Sequence, residues 1–329
     1  MKAWEVRNGN LGLHDVSPAN PHVNETVVRV SHVGICGSDR PKLLRPTDFS
    51  LPEPWRPGHE IVGTNSTGCA AAVNPPMPCG KCLQCNTGNI HLCAGLQRLG
   101  WNIPGGFAEQ VAVPVENVYP LPDGFNPLHA TLADPAAVAI HGLRCHTTGE
   151  PGQLAVIGAG VVGLLTACYA HEKGWKTTVI HRNNYIPHKT ITKMIPATFR
   201  SLSTTYLKNF DLVIDAATGT NPTPLNLALY LVRDGGTIIV QNAYHPDVYL
   251  PVPLRDLFRR SIHLIGSFSF CRKEHDDFTL ALNMLHKYGN AVACLVDESG
   301  ELHNLHTVLI NTNRRPKQVL TVSSPSENY

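Results

Sequence analysis

Gln153-Leu154-Ala155-Val156-Ile157-Gly158-Ala159-Gly160-Val161-Val162-Gly163-Leu164-Leu165 is an apolar run, a Gly-x-Gly-x-x-Gly turn and the opening of a helix. The run predicts a buried strand and the helix after it an amphipathic one. The glycines let a pyrophosphate approach the helix N-terminus, where unpaired N–H groups favour an anion. A glycine triplet alone is a weak signal. Here it has a strand before it, a helix after it and a second strand, Thr177-Thr178-Val179-Ile180, beginning just after Gly174. The stretch therefore predicts dinucleotide binding by Gly158, Gly160, Val161, Val162 and Gly163.

Working outward toward the C-terminus, strands are expected at 210–215, 236–240 and 261–268, with a helix around 225–232. Strands alternating with helices predict a parallel, doubly wound sheet. The end of the second strand selects the cofactor, because an acidic residue there would bind the ribose hydroxyls of NAD. This chain has His181, Arg182, Asn183 and Asn184 instead. Arg182 can pair with a 2′-phosphate, so NADP is the preferred cofactor; if Arg182 is only a solvated charge, NAD binds. Pro187 and Pro196 interrupt the helix expected next and predict a shortened lobe. An amphipathic helix is expected over 276–288 and a final strand over 318–322, assigned back to the first half of the chain.

Working outward toward the N-terminus, alternating runs over residues 1–32 and 105–119 predict a β-rich module, followed by a helical stretch over 127–143. Within it, Gly34-Ile35-Cys36-Gly37-Ser38-Asp39 is answered by Gly58-His59-Glu60 across a proline-rich loop. Thiolate, imidazole and carboxylate are ligands a zinc ion can take while keeping a position open for substrate. Ser38 lies two residues from Cys36, close enough to contact an alcohol at such an ion. Cys79, Cys82, Cys85 and Cys93 form a C-x2-C-x2-C-x7-C array. Four clustered thiolates suit a closed, structural zinc site; an iron–sulfur cluster or four idle thiols are the alternatives. Asp134, before Pro135, reads either as a helix N-cap or as a group at the catalytic metal.

Composition bounds these readings. The 329 residues exceed what one core usually serves, and two domains are expected. Hydrophobic residues make up 43%, charged residues 16%, and the formal net charge is +2, which excludes both a disordered chain and one built for nucleic acid. No apolar signal core or membrane-spanning run is apparent, so a cytoplasmic location is expected. Ten cysteines in a reducing compartment argue for thiols and metal over disulfides.

These motifs together resemble the zinc-dependent medium-chain dehydrogenase/reductase superfamily of alcohol, sorbitol and threonine dehydrogenases. The marks are 34–39, 58–60, the four clustered cysteines, Gly105-Gly106-Phe107-Ala108-Glu109, Asp134-Pro135, 158–163 and Gly266-Ser267-Phe268. The resemblance implies a GroES-like catalytic domain over 1–145, with both zinc sites, a Rossmann domain over 146–285, and a return to the catalytic domain over 286–329. It implies Cys36 and His59 as zinc ligands and Glu60 binding zinc directly or exchanging with water. Asp134 would be a fourth ligand or its neighbour, Ser38 the first proton acceptor, and Asp39 the group that orients His59. The Asp134-Pro135 pair is similar to the Glu-Pro of the polyol branch. Interconversion of a secondary alcohol, favouring a polyol, sugar or cyclitol, and its ketone with NADP(H) is therefore expected. A simple alcohol or aldehyde dehydrogenase using NAD(H) and a non-catalytic NADP-binding protein of the same fold are the alternatives. A zinc-independent quinone reductase would lack both cysteine sets. Many members of that superfamily carry a histidine five residues after the catalytic cysteine, whereas this chain has Pro41. A small-molecule substrate and a homodimer or homotetramer are implied, with no nucleic acid or membrane partner.

Overall fold

The structure, a computed structural model, describes residues 1–147, 150–182, 187–203, 209–218, 221–245, 247–250, 252–311 and 316–322. Two compact units result: Met1–Asp134 with the chain from Cys271 onward, and Pro135–Phe270. These limits lie on the N-terminal side of those drawn from sequence at 145 and 285. The helix Asp277–Lys287 belongs with the first unit because its cap, Asp276, accepts the Tyr119 hydroxyl at 2.8 Å. Phe278, in its first turn, packs edge-on against the same Tyr119 ring.

In the first unit, apolar alternation builds a seven-stranded sheet around the long strand Glu25–Ile35. That strand pairs antiparallel with Glu60–Thr64, Gln110–Pro114 and, from far along the chain, Lys317–Thr321. Val28, Val33, Ile61, Phe107 and Leu320 fill one core with the Trp55 indole. Register decides what meets at the strand end: Gly34 faces Glu60, and Gln318 faces Ile35. Cys36 therefore leaves the sheet between the segments carrying Glu60 and Lys317.

In the second unit the strands are β1 (Gln153–Ile157), β2 (Lys176–His181), β3 (Thr198–Ser201), β4 (Phe210–Asp215), β5 (Val232–Val240) and β6 (His263–Gly266). All pair in parallel, in the order β3-β2-β1-β4-β5-β6. This is the doubly wound arrangement expected, with the order reversing beside β1. Among the described residues between β2 and β3, the chain makes one six-residue helix, Lys189–Met194, bracketed by Pro187 and Pro196. The helix Val161–Glu172 is a correction: it is not amphipathic, since Gly163 through Ala170 are all buried. Burial of Thr166 is tolerated because its hydroxyl donates to the Val162 carbonyl at 2.9 Å. Among the described residues, no helix is long and apolar enough to cross a membrane.

Candidate metal centres and cofactor site

Just past Ile35 the backbone turns, with the Asp39 and Arg40 amides donating to the Cys36 carbonyl at 3.2 and 3.3 Å. The turn holds the Ser38 hydroxyl 3.2 Å from Cys36 Sγ and buries Asp39 completely. Asp39 Oδ2 lies 3.2 Å from His59 Nδ1, which leaves Nε2 as the free ligand atom of that ring. Ligand atoms of Cys36, His59 and Glu60 come within 4.8 Å of one another, so the structure brings together three groups chosen from sequence. Gly34 is required here, because a Cβ at that position would stand 2.1 Å from Glu60 Oε2. Burial disfavours a His59 imidazolium, but the Asp39 and Cys36 charges outweigh it and raise its pKa well above the ordinary value. An imidazole and a sulfur held this close are suited to sharing a metal dication.

Two participants escaped the sequence reading. Lys317, fully buried, donates to both Glu60 oxygens and, at 3.4 Å, to the Ile35 carbonyl. Burial alone would lower the Lys317 pKa, but Glu60 and Cys36 raise it, so the side chain is held as an ammonium. The available signal was a lysine opening a strand, Lys317–Thr321, that runs into the apolar pair Val319-Leu320. Arg98 is the second: burial lowers its pKa, and the charges of Asp134 and Cys36 counter that only in part. Asp134 does not join the trio at 4.8 Å spacing. It sits in the first turn of the helix Ala133–Arg144, not at its cap, where its charge acts on Glu60, Arg98 and Lys317.

Cys79, Cys82, Cys85 and Cys93 also converge, all four sulfurs within 4.8 Å, with Cys82 to Cys85 at 3.4 Å. The left-handed backbone at Gly80 and Gly88 wraps the chain around them. Backbone amides at Lys81 and Cys82 draw the Cys79 thiol down to about 6, while burial and its sulfur neighbours push Cys85 up to about 12. Four thiols this close cannot all ionise unaided, and a bound cation resolves that conflict.

In the second unit the nucleotide turn has the anticipated form. A Cβ at Gly163 would lie 2.0 Å from the Gly158 carbonyl oxygen, so the helix can pack against the turn only with glycine there. A Cβ at Gly160 would meet nothing, and Gly160 caps Val161–Glu172 without a side-chain bond. That end is therefore open to a phosphate. Val161 and Val162 begin the helix and are half-buried. His181 ends β2, its Nδ1 3.0 Å from the Arg182 carbonyl oxygen, and Arg182 is exposed. Asn183 lies outside the described residues.

The alcohol dehydrogenase GroES-like domain family matches residues 22–123, and the pyridine nucleotide-disulphide oxidoreductase family matches residues 153–213. D-altritol 5-dehydrogenase of Agrobacterium fabrum is 30% identical over 310 residues, covering 88% of this chain and 89% of that protein. L-galactonate-5-dehydrogenase of Escherichia coli is 28% identical, covering 75% and 76%. Galactitol-1-phosphate dehydrogenase of Escherichia coli shares the fold, with a TM-score of 0.85 at 24% identity, covering 98% of this chain and all of that one. The altritol relative, matched along nearly the full length of both chains, makes this protein a member of the zinc-type medium-chain dehydrogenase/reductase superfamily, an alcohol or polyol oxidoreductase whose family works with zinc and a nicotinamide nucleotide.

Proposed function

We propose that this chain interconverts a secondary alcohol of a polyol, sugar or cyclitol and its ketone with NADP(H). The observation that carries this reading is the convergence of Cys36, His59 and Glu60 within 4.8 Å, with Ser38 hydrogen-bonded to Cys36. Cys36 and His59 would hold a zinc ion, which when bound supplies Lewis acidity toward the substrate oxygen, while the nicotinamide carries the hydride. Asp39 keeps His59 in the ligating tautomer. Ser38 takes the hydroxyl proton. With Pro41 unable to accept it, the proton leaves through water, the cofactor ribose or another side chain. Lys317 engages both Glu60 oxygens, so Glu60 reaches the metal only when that pair loosens.

The Glu60 carboxylate within the trio and the Asp134 charge that acts on it favour a substrate with vicinal hydroxyls. Relatives named for altritol and galactonate oxidation agree with that class. Exposed Arg182 after β2, with no acid among residues 181–184, supports NADP. An assembly of two or more copies is also part of the proposal. Strand β6 forms an edge of its sheet, and Leu264 on it, with Tyr249 and Phe258 nearby in sequence, is exposed.

The test is oxidation of polyols, cyclitols, hydroxy amino acids and simple alcohols by zinc-replete protein, with NADP and NAD in parallel. Turnover of a polyol class with NADP supports the whole reading, and an NAD preference removes the Arg182 argument alone. Cys36→Ser should abolish turnover and leave cofactor binding nearly intact; retained activity removes the metal assignment.

A further inference from the structure

We infer that Arg98 and Lys42, which share the Trp101 ring, form a cationic subsite beside Cys36 and His59 that receives a carboxylate or phosphate on the substrate. The inference rests on the polyol oxidoreductase reading and narrows it to anionic polyhydroxylated substrates. Arg98 ends the short strand Gln97–Arg98, paired with Pro76–Met77. The turn after it is fixed against the histidine loop: the Gly100 carbonyl accepts Trp55 Nε1 at 2.8 Å, and a Cβ on Gly100 would come 2.8 Å from the Gly58 backbone. Lys42 lies in the helix Arg40–Leu44, which begins four residues after Cys36. The two cations converge on one indole, Lys42 Nζ at 4.5 Å and Arg98 Cζ at 5.1 Å from the Trp101 ring centre, and Trp101 is 36% exposed.

Like charges gathered at one ring repel, and an aromatic face offsets only part of that cost. An anion on the substrate, lying against both cations, would relieve that repulsion. Arg98, planar and half-buried, is suited to a two-pronged bond with a carboxylate or phosphate, whereas Lys42 acts as a steering charge.

The test compares D-gluconate, D-glucitol 6-phosphate and D-glucitol, each with its stereochemical series, as substrates of the zinc-loaded wild type. Preference for one anionic series by about tenfold or more in kcat/KM is expected, and which series wins identifies the carboxylate or the phosphate. Arg98→Gln should reduce that selectivity ratio about 10- to 100-fold, mainly through KM, as for the loss of a charged hydrogen bond. Arg98→Lys should recover part of it, and Lys42→Gln should lower it a few-fold at low salt only. Equal or better use of the neutral series by wild type overturns the inference while leaving the oxidoreductase reading standing. So does an Arg98→Gln loss that is the same for anionic and neutral substrates. If no series is oxidised, the oxidoreductase reading fails. Calorimetric titration of the zinc-loaded protein with the same three compounds then decides the subsite, and absence of anion binding overturns it. Should the Arg98 variants not fold, the wild-type preference alone decides.

Discussion

Replacing Lys317 with Met removes the cation from a buried ion pair whose side chains are 3% and 0% exposed. Deleting one partner of such a pair leaves an uncompensated charge in the interior, a loss of about 3–5 kcal/mol. That loss should appear in full only when the catalytic site holds no metal. With zinc bound, the freed Glu60 carboxylate lies within the 4.8 Å cluster of Cys36 and His59 and can turn to the ion. We expect the zinc-loaded variant to lose about 2–3 kcal/mol less than the metal-free one. By linkage, zinc then binds the Lys317→Met protein about 30- to 150-fold more tightly than wild type. Urea denaturation of both proteins, zinc-loaded and after chelation of the catalytic ion alone, measures the stabilities, and an indicator competition measures the affinity directly. Adding Glu60→Gln should restore most of the metal-free stability and erase the affinity gain. Equal losses with and without zinc, and unchanged affinity, would refute the idea that Lys317 restrains Glu60.

Cys82→Ser should cut the protein's zinc content by one equivalent and expose the 79–93 lobe to protease, because the remaining sulfurs repel without a shared cation; unchanged metal content speaks against a structural zinc. Glu5 offers a pH test remote from the metal. Burial raises its pKa, but Arg56 and Arg7, both at 2.6 Å, more than reverse this and hold it below the ordinary 4.5. A depressed carboxylate stabilises above its unfolded value and loses that contribution as pH falls through its folded value. Glu5→Gln should therefore cost about 1.5–3 kcal/mol at pH 7 and flatten the stability profile below pH 4.5; parallel wild-type and variant profiles would contradict the pairing.

Legibility from sequence followed the distance over which each feature is encoded. The nucleotide turn at Gly158–Gly163 and the four-cysteine array are local spacings, each meaningful on its own chain segment. Cys36, Ser38, Asp39, His59 and Glu60 lie on two neighbouring stretches whose motifs announce each other. Lys317 carries no such mark, because its meaning depends on a partner 257 residues away and on the register that sets Gln318 opposite Ile35. Arg98 looks like a surface residue of a short turn until Gly100 is packed against Gly58. The all-round burial of the Val161–Glu172 helix is not written in its residue types, because Thr166 is polar and is buried only through a bond to its own helix backbone. The N-cap reading of Asp134 rests on its proline neighbour and would start the helix at Pro135, whereas the helix begins two residues earlier, at Ala133.

The pairing of Lys317–Thr321 with Glu25–Ile35 also sets an order of events during synthesis. The second unit is one continuous stretch, Pro135–Phe270, and its sheet is complete once that stretch has left the ribosome. The first unit must wait. At about 5–20 residues per second, Lys317 emerges about 13–50 s after Glu60. Through that interval the Glu60 carboxylate lacks its ammonium and the long strand has an open edge, so the nascent catalytic half stays vulnerable to wrong pairing until the last strand arrives.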